Sequence, residues 1–470
     1  MSAVGEAPVI LGYPAAVQFT RADLSGLRNQ LNNKGKNMKK ITSIILSLII
    51  ATCFMPAFAF ADEVCSHEFQ GANLIEEGTC IYCGETGEKV VKDTYLKKFT
   101  NESSTKIPTE VKNLLVDFFD TFYDSQVYLE HRDITKYFSK TYYTSAQKNQ
   151  VALDTMIDGR KLQNNDLRLT DASYSLKLVS VKKVSDKEYK INARDSAQMY
   201  FKFMQGTKSE MLNVKCSFTV IKTKSGAWKL KTAYRKQNFY LDFDDAYSKV
   251  KHDGFTHDQI DAALARIKSE RIEKYKAIKA QEEKRLVTAN TKTCKVKECD
   301  HKIDRDACLD YAMNHIKKNR TVPDYSDWGG NCQNFSSNVL LAGGIPMDTK
   351  GPAIWKHYSS TLDNSSAKKG RTASFVIVGS FYNYAKLNTG YGLAARTDVN
   401  PYFGEAGDVL QVGNNGFFSH TMVVVGNVKN DKGEIVDLLL NGNTIDTINF
   451  PLSAYGCVER RLIKVYGWND

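Results

Sequence analysis

The sequence predicts a multidomain α+β protein, and three stretches carry that prediction. Residues 100–245 read as helices followed by long strands, and residues 256–288 as a single charged helix. The last third reads as a helix that starts at a cysteine and leads into further strands. A chain of 470 residues has room for about two to four units, each with its own core.

The first of these stretches opens with "IPTEVKNLLVDFFDTFYDS", where Val111, Leu114, Leu115, Phe118, Phe119 and Phe122 mark one helix face and Pro108 suits a first turn. A second helical stretch follows, and then the period changes to two. Val214, Cys216, Phe218 and Val220 alternate with polar residues, Ser225-Gly226 turns the chain, and Trp228, Leu230 and Thr232 return. This order of helices and antiparallel strands, ending in "TKSGAWKLKTAY", resembles the nuclear-transport-factor-like cone. The pattern contains no acid–base set, so residues 100–245 are expected to be a spacer or binding module, with Cys216 in its core. Residues 246–296 are expected to be a helical linker: Thr256 and Gln259 form a capping-box pair, and Ile260, Leu264, Ile267, Tyr275 and Ile278 lie under a Lys/Glu/Arg surface. Cys294 and Cys299 come next and are close enough to pair with each other.

The N-terminal region speaks to location. "MKKITSIILSLIIATCFMPAFAFADE" has a basic head, an apolar middle and a small-x-small exit at Ala59-Phe60-Ala61, the three parts of a secretory signal peptide over residues 38–61. The true start is then expected at Met38, residues 1–37 are a doubtful upstream extension, and no stable membrane span remains after cleavage. The formal net charge of +11 calls for an anionic partner. Charge alone leaves nucleic acid, a phospholipid surface and an anionic cell-wall polymer open; with export and the resemblance given below, the expected partner is peptidoglycan or an anionic cell-wall polymer and not nucleic acid.

Residues 62–95 form a small cysteine–histidine module. Cys65 and His67 precede Cys80 and Cys83, and "CIYCG" is a knuckle in which glycine lets backbone amides turn toward the sulfurs. Three sulfurs and one imidazole complete a tetrahedral structural zinc site, with no position open for catalysis. A disulfide framework is the competing assignment outside the cell.

The chemistry concentrates at "GGNCQNFSSNVLLAGG", residues 329–344. A nucleophilic cysteine needs its proton removed, its thiolate stabilised and an oxyanion site nearby. A helix N-terminus favours negative charge, so Cys332, after Asn331 as a cap, is expected to be an acidified thiol with amides aimed at a developing oxyanion. The competing assignments are core filler, or a disulfide with Cys308 or Cys457. The base has to be a histidine; beyond Cys332 only His357 and His420 exist, and His420 opens a strand, "SHTMVVVGNV". On the next strand an asparagine could fix the imidazole tautomer: Asn443, with Asn441 or Asp408 as alternatives. Tyr325, Trp328 and Trp355 are groove candidates or simply core.

Several motifs in this region resemble a known family in order. "IDRDACLDYA", residues 303–312, is similar to the family's "YDRDAAVAYA", and "NCQNFSSNVLLAGG" to "DCTNFVSQ-LxAGG". Gly407-Asp408-Val409-Leu410 is similar to "GDVI", and "NTIDTINFPL" to "HTxDRxNxPL". On these motifs residues 297–470 are identified with the "putative amidase domain" of secreted Gram-positive proteins, a papain-like thiol hydrolase group akin to CHAP and NlpC-type domains. The resemblance implies a helix packed on an antiparallel sheet, with nucleophile Cys332, base His420 and orienter Asn443. Asn331 and Asn334 then support the oxyanion, and Asp408 supports the site. The chain departs from the family at two positions: Asn331 stands where aspartate is usual and Asn443 where histidine is common.

The expected activity is a secreted, cysteine-dependent amidase acting on peptidoglycan with no catalytic cofactor. Acyl transfer by the same residues, and a non-catalytic wall-binding scaffold with a degenerate domain, are the rivals.

Overall fold

The computed structural model describes residues 68–470 except 238–242, 244–245, 251–253, 317–329, 352, 415 and 457–458. The expected signal segment, Cys65, His67, Tyr325, Trp328 and Cys457 therefore lie outside the described residues. Among the described residues no helix is long and apolar enough to cross a membrane.

A two-stranded ribbon comes first, β1 (Phe69–Gln70) with β2 (Thr79–Cys80). Strand β3 (Leu96–Asn101) leads into helices α1 (Thr109–Tyr128) and α2 (Tyr143–Lys161). The six apolar positions picked out on α1 are all buried. Pro108 sits at the N-cap, one residue ahead of the first turn, where its missing N–H costs nothing. Four long strands follow: β4 (Leu169–Ser185), β5 (Glu188–Phe201), β6 (Lys208–Lys222) and β7 (Trp228–Arg235). The alternation on β6 holds, with Val214, Cys216, Phe218 and Val220 buried. On β7 it breaks: Trp228 and Leu230 are buried but Thr232 is exposed. The register against β6 slips between Thr219 and Val220, so one extra β7 residue turns Thr232 outward.

Helix α3 (His257–Thr291) carries both arms of the capping box: the Gln259 amide donates to Thr256 Oγ1 at 3.4 Å and the Thr256 amide to Gln259 Oε1 at 2.9 Å. It packs against the rest of the protein at both ends. Ile260, Leu264 and Ile267 enter the core around α1 and α2. Tyr275 lies over Gly159 of α2, where a Cβ would sit 2.7 Å from the ring, so only glycine admits the crossing. Nearer its end, Glu282 is buried between Arg285 (2.6 Å) and Arg460 (2.9 Å).

The last part consists of β8 (His301–Lys302), α4 (Arg305–Asn314), α5 (Cys332–Ala342), α6 (Val378–Leu387), β9 (Gly392–Val399), β10 (Val409–Asn414), β11 (Phe417–Lys429), β12 (Ile435–Gly442), β13 (Asp446–Pro451) and β14 (Glu459–Asn469). Its sheet is antiparallel, with β12, β11, β10 and β14 side by side. One face packs on α4, α5 and α6 through Val409, Val423, Val425, Ile463 and Val465. Leu410, Val412, Met422, Val424, Leu438 and Leu440 make a second apolar layer on the other face.

The parts expected as separate domains share one sheet. Strand β13 pairs antiparallel with β6, Asp446 opposite Leu212 and Ile448 opposite Glu210, which makes twelve strands continuous. Phe450 and Ala454 of the last part sit in the same core as α1 and α2. Cys294 and Cys299 are free thiols and not a disulfide; Cys294 Sγ lies 3.5 Å from the Tyr466 hydroxyl.

Candidate functional site

Cys332 is the first residue of α5 and is buried. Asn331 occupies the N-cap position, but its side chain makes no cap hydrogen bond. Its Nδ2 donates instead to Asn443 Oδ1 at 2.9 Å, its Oδ1 accepts from Asn334 Nδ2 at 2.9 Å, and its backbone amide donates to Thr444 Oγ1 at 2.9 Å. The expectation of a capping Asn331 is therefore corrected, and the correction has a consequence at the sulfur. The backbone amides of Thr421 on β11, and of Gln333 and Cys332 at the helix start, favour a negative charge on Cys332 Sγ. These amides form an electropositive rim where a thiolate or a tetrahedral oxygen would need one.

Burial nevertheless outweighs the amides, and the thiol is pushed above its ordinary range. The acidified cysteine expected from the helix start is not the resting state of this structure; Cys332 rests as a neutral thiol. It is not a disulfide either: Cys308 and Cys332 are both free, and Cys308 donates to the Val339 carbonyl at 3.4 Å.

His420 is buried on β11, where its neighbours fix the direction of the ring. Thr421, Val423 and Val425 face α5, with Thr421 Oγ1 donating to Gln333 Oε1 at 3.1 Å. His420 has the other parity, shared with Met422 and Val424, and lines a cavity on the opposite face. No hydrogen bond joins Cys332 Sγ to the ring; the two residues meet through the Thr421 amide, which follows His420 in the chain and faces the sulfur. The ring lies against Gly442 of β12, where a Cβ would come within 3.4 Å of Nε2 and 3.1 Å of both Met422 Cγ and Thr447 Oγ1. Glycine keeps that space open. Burial alone drives the His420 pKa down to about 4, so the imidazole is neutral at pH 7.

The expected third residues go elsewhere. Asn443 is buried, and its Oδ1 is taken by Asn331 while Nδ2 has no partner among the described residues. The two positions that depart from the family pattern therefore touch each other. Asn441 ties β12 to α4, its Nδ2 donating to the Ala312 carbonyl at 3.0 Å and its Oδ1 accepting the Asn449 amide at 2.8 Å. Asp408 is a clamp: it accepts the Val465 and Glu405 amides, both at 2.9 Å, and pairs with Arg305 at 3.2 Å and Lys464 at 3.3 Å. Trp355 belongs to the core, stacked on Phe375 with its Nε1 donating to Ser337 Oγ at 3.3 Å. At the other end of the chain, Cys80 and Cys83 flank the expected knuckle, with the Gly84 amide donating to the Cys80 carbonyl at 3.0 Å. Thr421, Gly442 and Arg160 were not legible as site residues in the sequence.

The depressed His420 pKa makes a prediction with a definite sign. Unfolded histidine takes a proton near pH 6.5, whereas the folded site resists until about 4. Stability is therefore unaffected above pH 6.5 and is lost as pH falls toward 4, by up to about 3 kcal/mol from this group. Urea unfolding of the wild type and His420→Gln at pH 7 and pH 4.5 is expected to show the gap between them shifting in favour of the variant at the lower pH.

The fold and site thus define an α+β domain in which a cysteine-bearing helix end abuts the start of a histidine-bearing strand. Residues 302–466 match the family model described as "Putative amidase domain", so the chain carries that domain at its C-terminus. No curated protein matches the chain. Among solved structures, the crystal structure of Kfla4162 protein from Kribbella flavida is similar to 28% of this chain and 96% of its own, at 13% identity and a TM-score of 0.19. That similarity is too low to carry any argument.

Proposed function

We propose that the protein is a secreted cysteine amidase that hydrolyses an amide bond of peptidoglycan, with Cys332 as nucleophile and His420 as base. The observation that supports this best is the rim of three amides around Cys332 Sγ, the last of them following His420, within a segment that matches an amidase domain. Both groups rest neutral, so the reading is general-base attack rather than a preformed ion pair. The two side chains do not touch in the resting structure, so the proposed mechanism requires the imidazole to reach the thiol in the substrate complex. Cys332 Sγ then adds to the carbonyl carbon as its proton passes to His420. The amides hold the tetrahedral oxyanion, the departing amine receives the proton, and water releases the acyl group. Asn443 and Asn334 brace Asn331 at the helix start, and Asp408 anchors β10 beside β11.

The base must be neutral to act, so kcat/KM is expected to fall on the acid side only near the His420 pKa of about 4. Release of amines from purified wall by wild type and Cys332→Ala tests the reading. Unchanged release in the variant would favour the second reading, a wall-binding protein with an inert domain, to which the separation of thiol from imidazole lends some support.

Export by the 38–61 segment and retention at an anionic wall by the net charge belong to the same proposal. So does structural zinc on Cys65, His67, Cys80 and Cys83. Among the described residues alone no cluster could hold a metal, and the two remaining ligands lie outside them. Elemental analysis of purified protein is expected to find one zinc per chain, lost together with Cys80→Ser; disulfides at these positions would give none.

A further inference from the structure

The cavity onto which His420 opens contains a group that the amidase reading leaves unused. It lies where α2, α3 and β6 meet β11, β13 and the turn after β13. Its walls are apolar: Met156, Met211, Tyr275, Ile445 and Phe450. The space open to the centres of water-sized groups is about 50 Å³, room for the end of a small molecule and not for a polymer. Among the described residues, Arg160 of α2 is the one charged side chain at the wall and none brings a carboxylate to it.

Arg160 is 2% exposed, and its partners are few. One Nη donates to Gln126 Oε1 at 3.0 Å, while Arg160 Nε and Gln126 Nε2 are buried without a hydrogen-bond partner. No acid pairs with the guanidinium among the described residues. Burial and the nearby Arg235 lower its pKa to about 10, so it is still charged at pH 7. A buried guanidinium without an anion is costly, and a delocalised fork of donors is matched to a carboxylate. The cavity also adjoins the catalytic candidates. Ile445 and Thr447 line it, and the residue before Ile445, Thr444, receives the Asn331 amide beside Cys332.

We propose that this cavity binds a carboxylate of the substrate, with Arg160 as its counter-ion and the apolar walls around the adjoining alkyl group. The inference rests on the amidase reading and narrows it. The substrate class becomes a peptide bearing a free carboxylate, and the part of the chain that resembles a cone becomes a specificity element.

Binding can be measured without turnover by titrating Cys332→Ala protein calorimetrically with N-acetylalanine, N-acetylglutamic α-amide and N-acetylalanine carboxamide. Tighter binding of either acid than of the carboxamide is expected, and which acid binds identifies an α- or a side-chain carboxylate. Arg160→Gln is expected to weaken that binding about tenfold or more. The bound acid, placed beside His420, is expected to raise the midpoint of the His420 NMR titration above its ligand-free value. Equal binding of acid and carboxamide by protein with Arg160 intact overturns the proposal, whether or not Arg160→Gln folds. Equal affinity in a folded Arg160→Gln overturns it as well. Cys332-dependent amine release alongside a failed titration removes only this inference; carboxylate binding in a protein whose release ignores Cys332 removes the amidase reading instead.

Discussion

Cys332→Ala is expected to lower amine release from purified wall by about three orders of magnitude or more, to the level of the amide rim and binding alone. The expectation is this large because in the proposed mechanism the sulfur forms the acyl bond, and among the described residues the neighbouring Ser336 and Ser337 hydroxyls are committed to the Cys332 and Phe375 carbonyls. The fold is expected to survive, since the change removes one sulfur at the end of a helix whose apolar side chains, Phe335, Val339 and Leu340, stay in place. Circular dichroism and the unfolding midpoint check this. Cys332→Ser is expected to be nearly as inactive, because a hydroxyl held by the same rim is far harder to deprotonate with a base of pKa about 4.

Asp195→Ala is expected to cost about 3–5 kcal/mol in urea unfolding. Asp195 is fully buried on β5 and accepts from the Tyr123 hydroxyl at 2.7 Å and from Arg235 Nε at 3.1 Å, with a further short bond from Arg235 Nη2. Removing the carboxylate strands a guanidinium that lies under the Phe122 ring, at 4.8 Å, with no other carboxylate paired to it among the described residues. The double variant Asp195→Leu/Arg235→Met is expected to recover most of that loss, because the cost lies in the unpaired charge and not in the absence of the pair. A double variant as unstable as the single would show that the contribution is packing.

What was legible in the sequence were features written in local pattern. The buried stripe of α1, the capping box of α3, the alternation of β6 and the helix beginning at Cys332 each depend on spacing within one element. What was hidden depends on partners distant in sequence. The junction of β13 with β6 is made by backbone groups more than two hundred residues apart, and side-chain pattern carries no trace of it. Thr232 turned outward because of a slip in its partner's register. Asn331 reads as a cap until Asn443 and Asn334 are seen to occupy its amide. The same limit applies to charge. A helix start predicts an acidic thiol, but how deeply the sulfur lies is set by β11 and by the strands beyond it, and burial reversed the direction. Arg160 reads as an ordinary helix residue and becomes notable only once its burial without an acid partner among the described residues is visible.

The central claim is that one sulfur among the ten cysteines performs the chemistry. Partial alkylation with iodoacetamide, with the modified fraction of each cysteine mapped by peptide mass and amine release measured on the same samples, tests this directly. Release is expected to fall in step with the modified fraction of Cys332 and to be independent of the others. Full release from protein in which Cys332 is completely alkylated would contradict it.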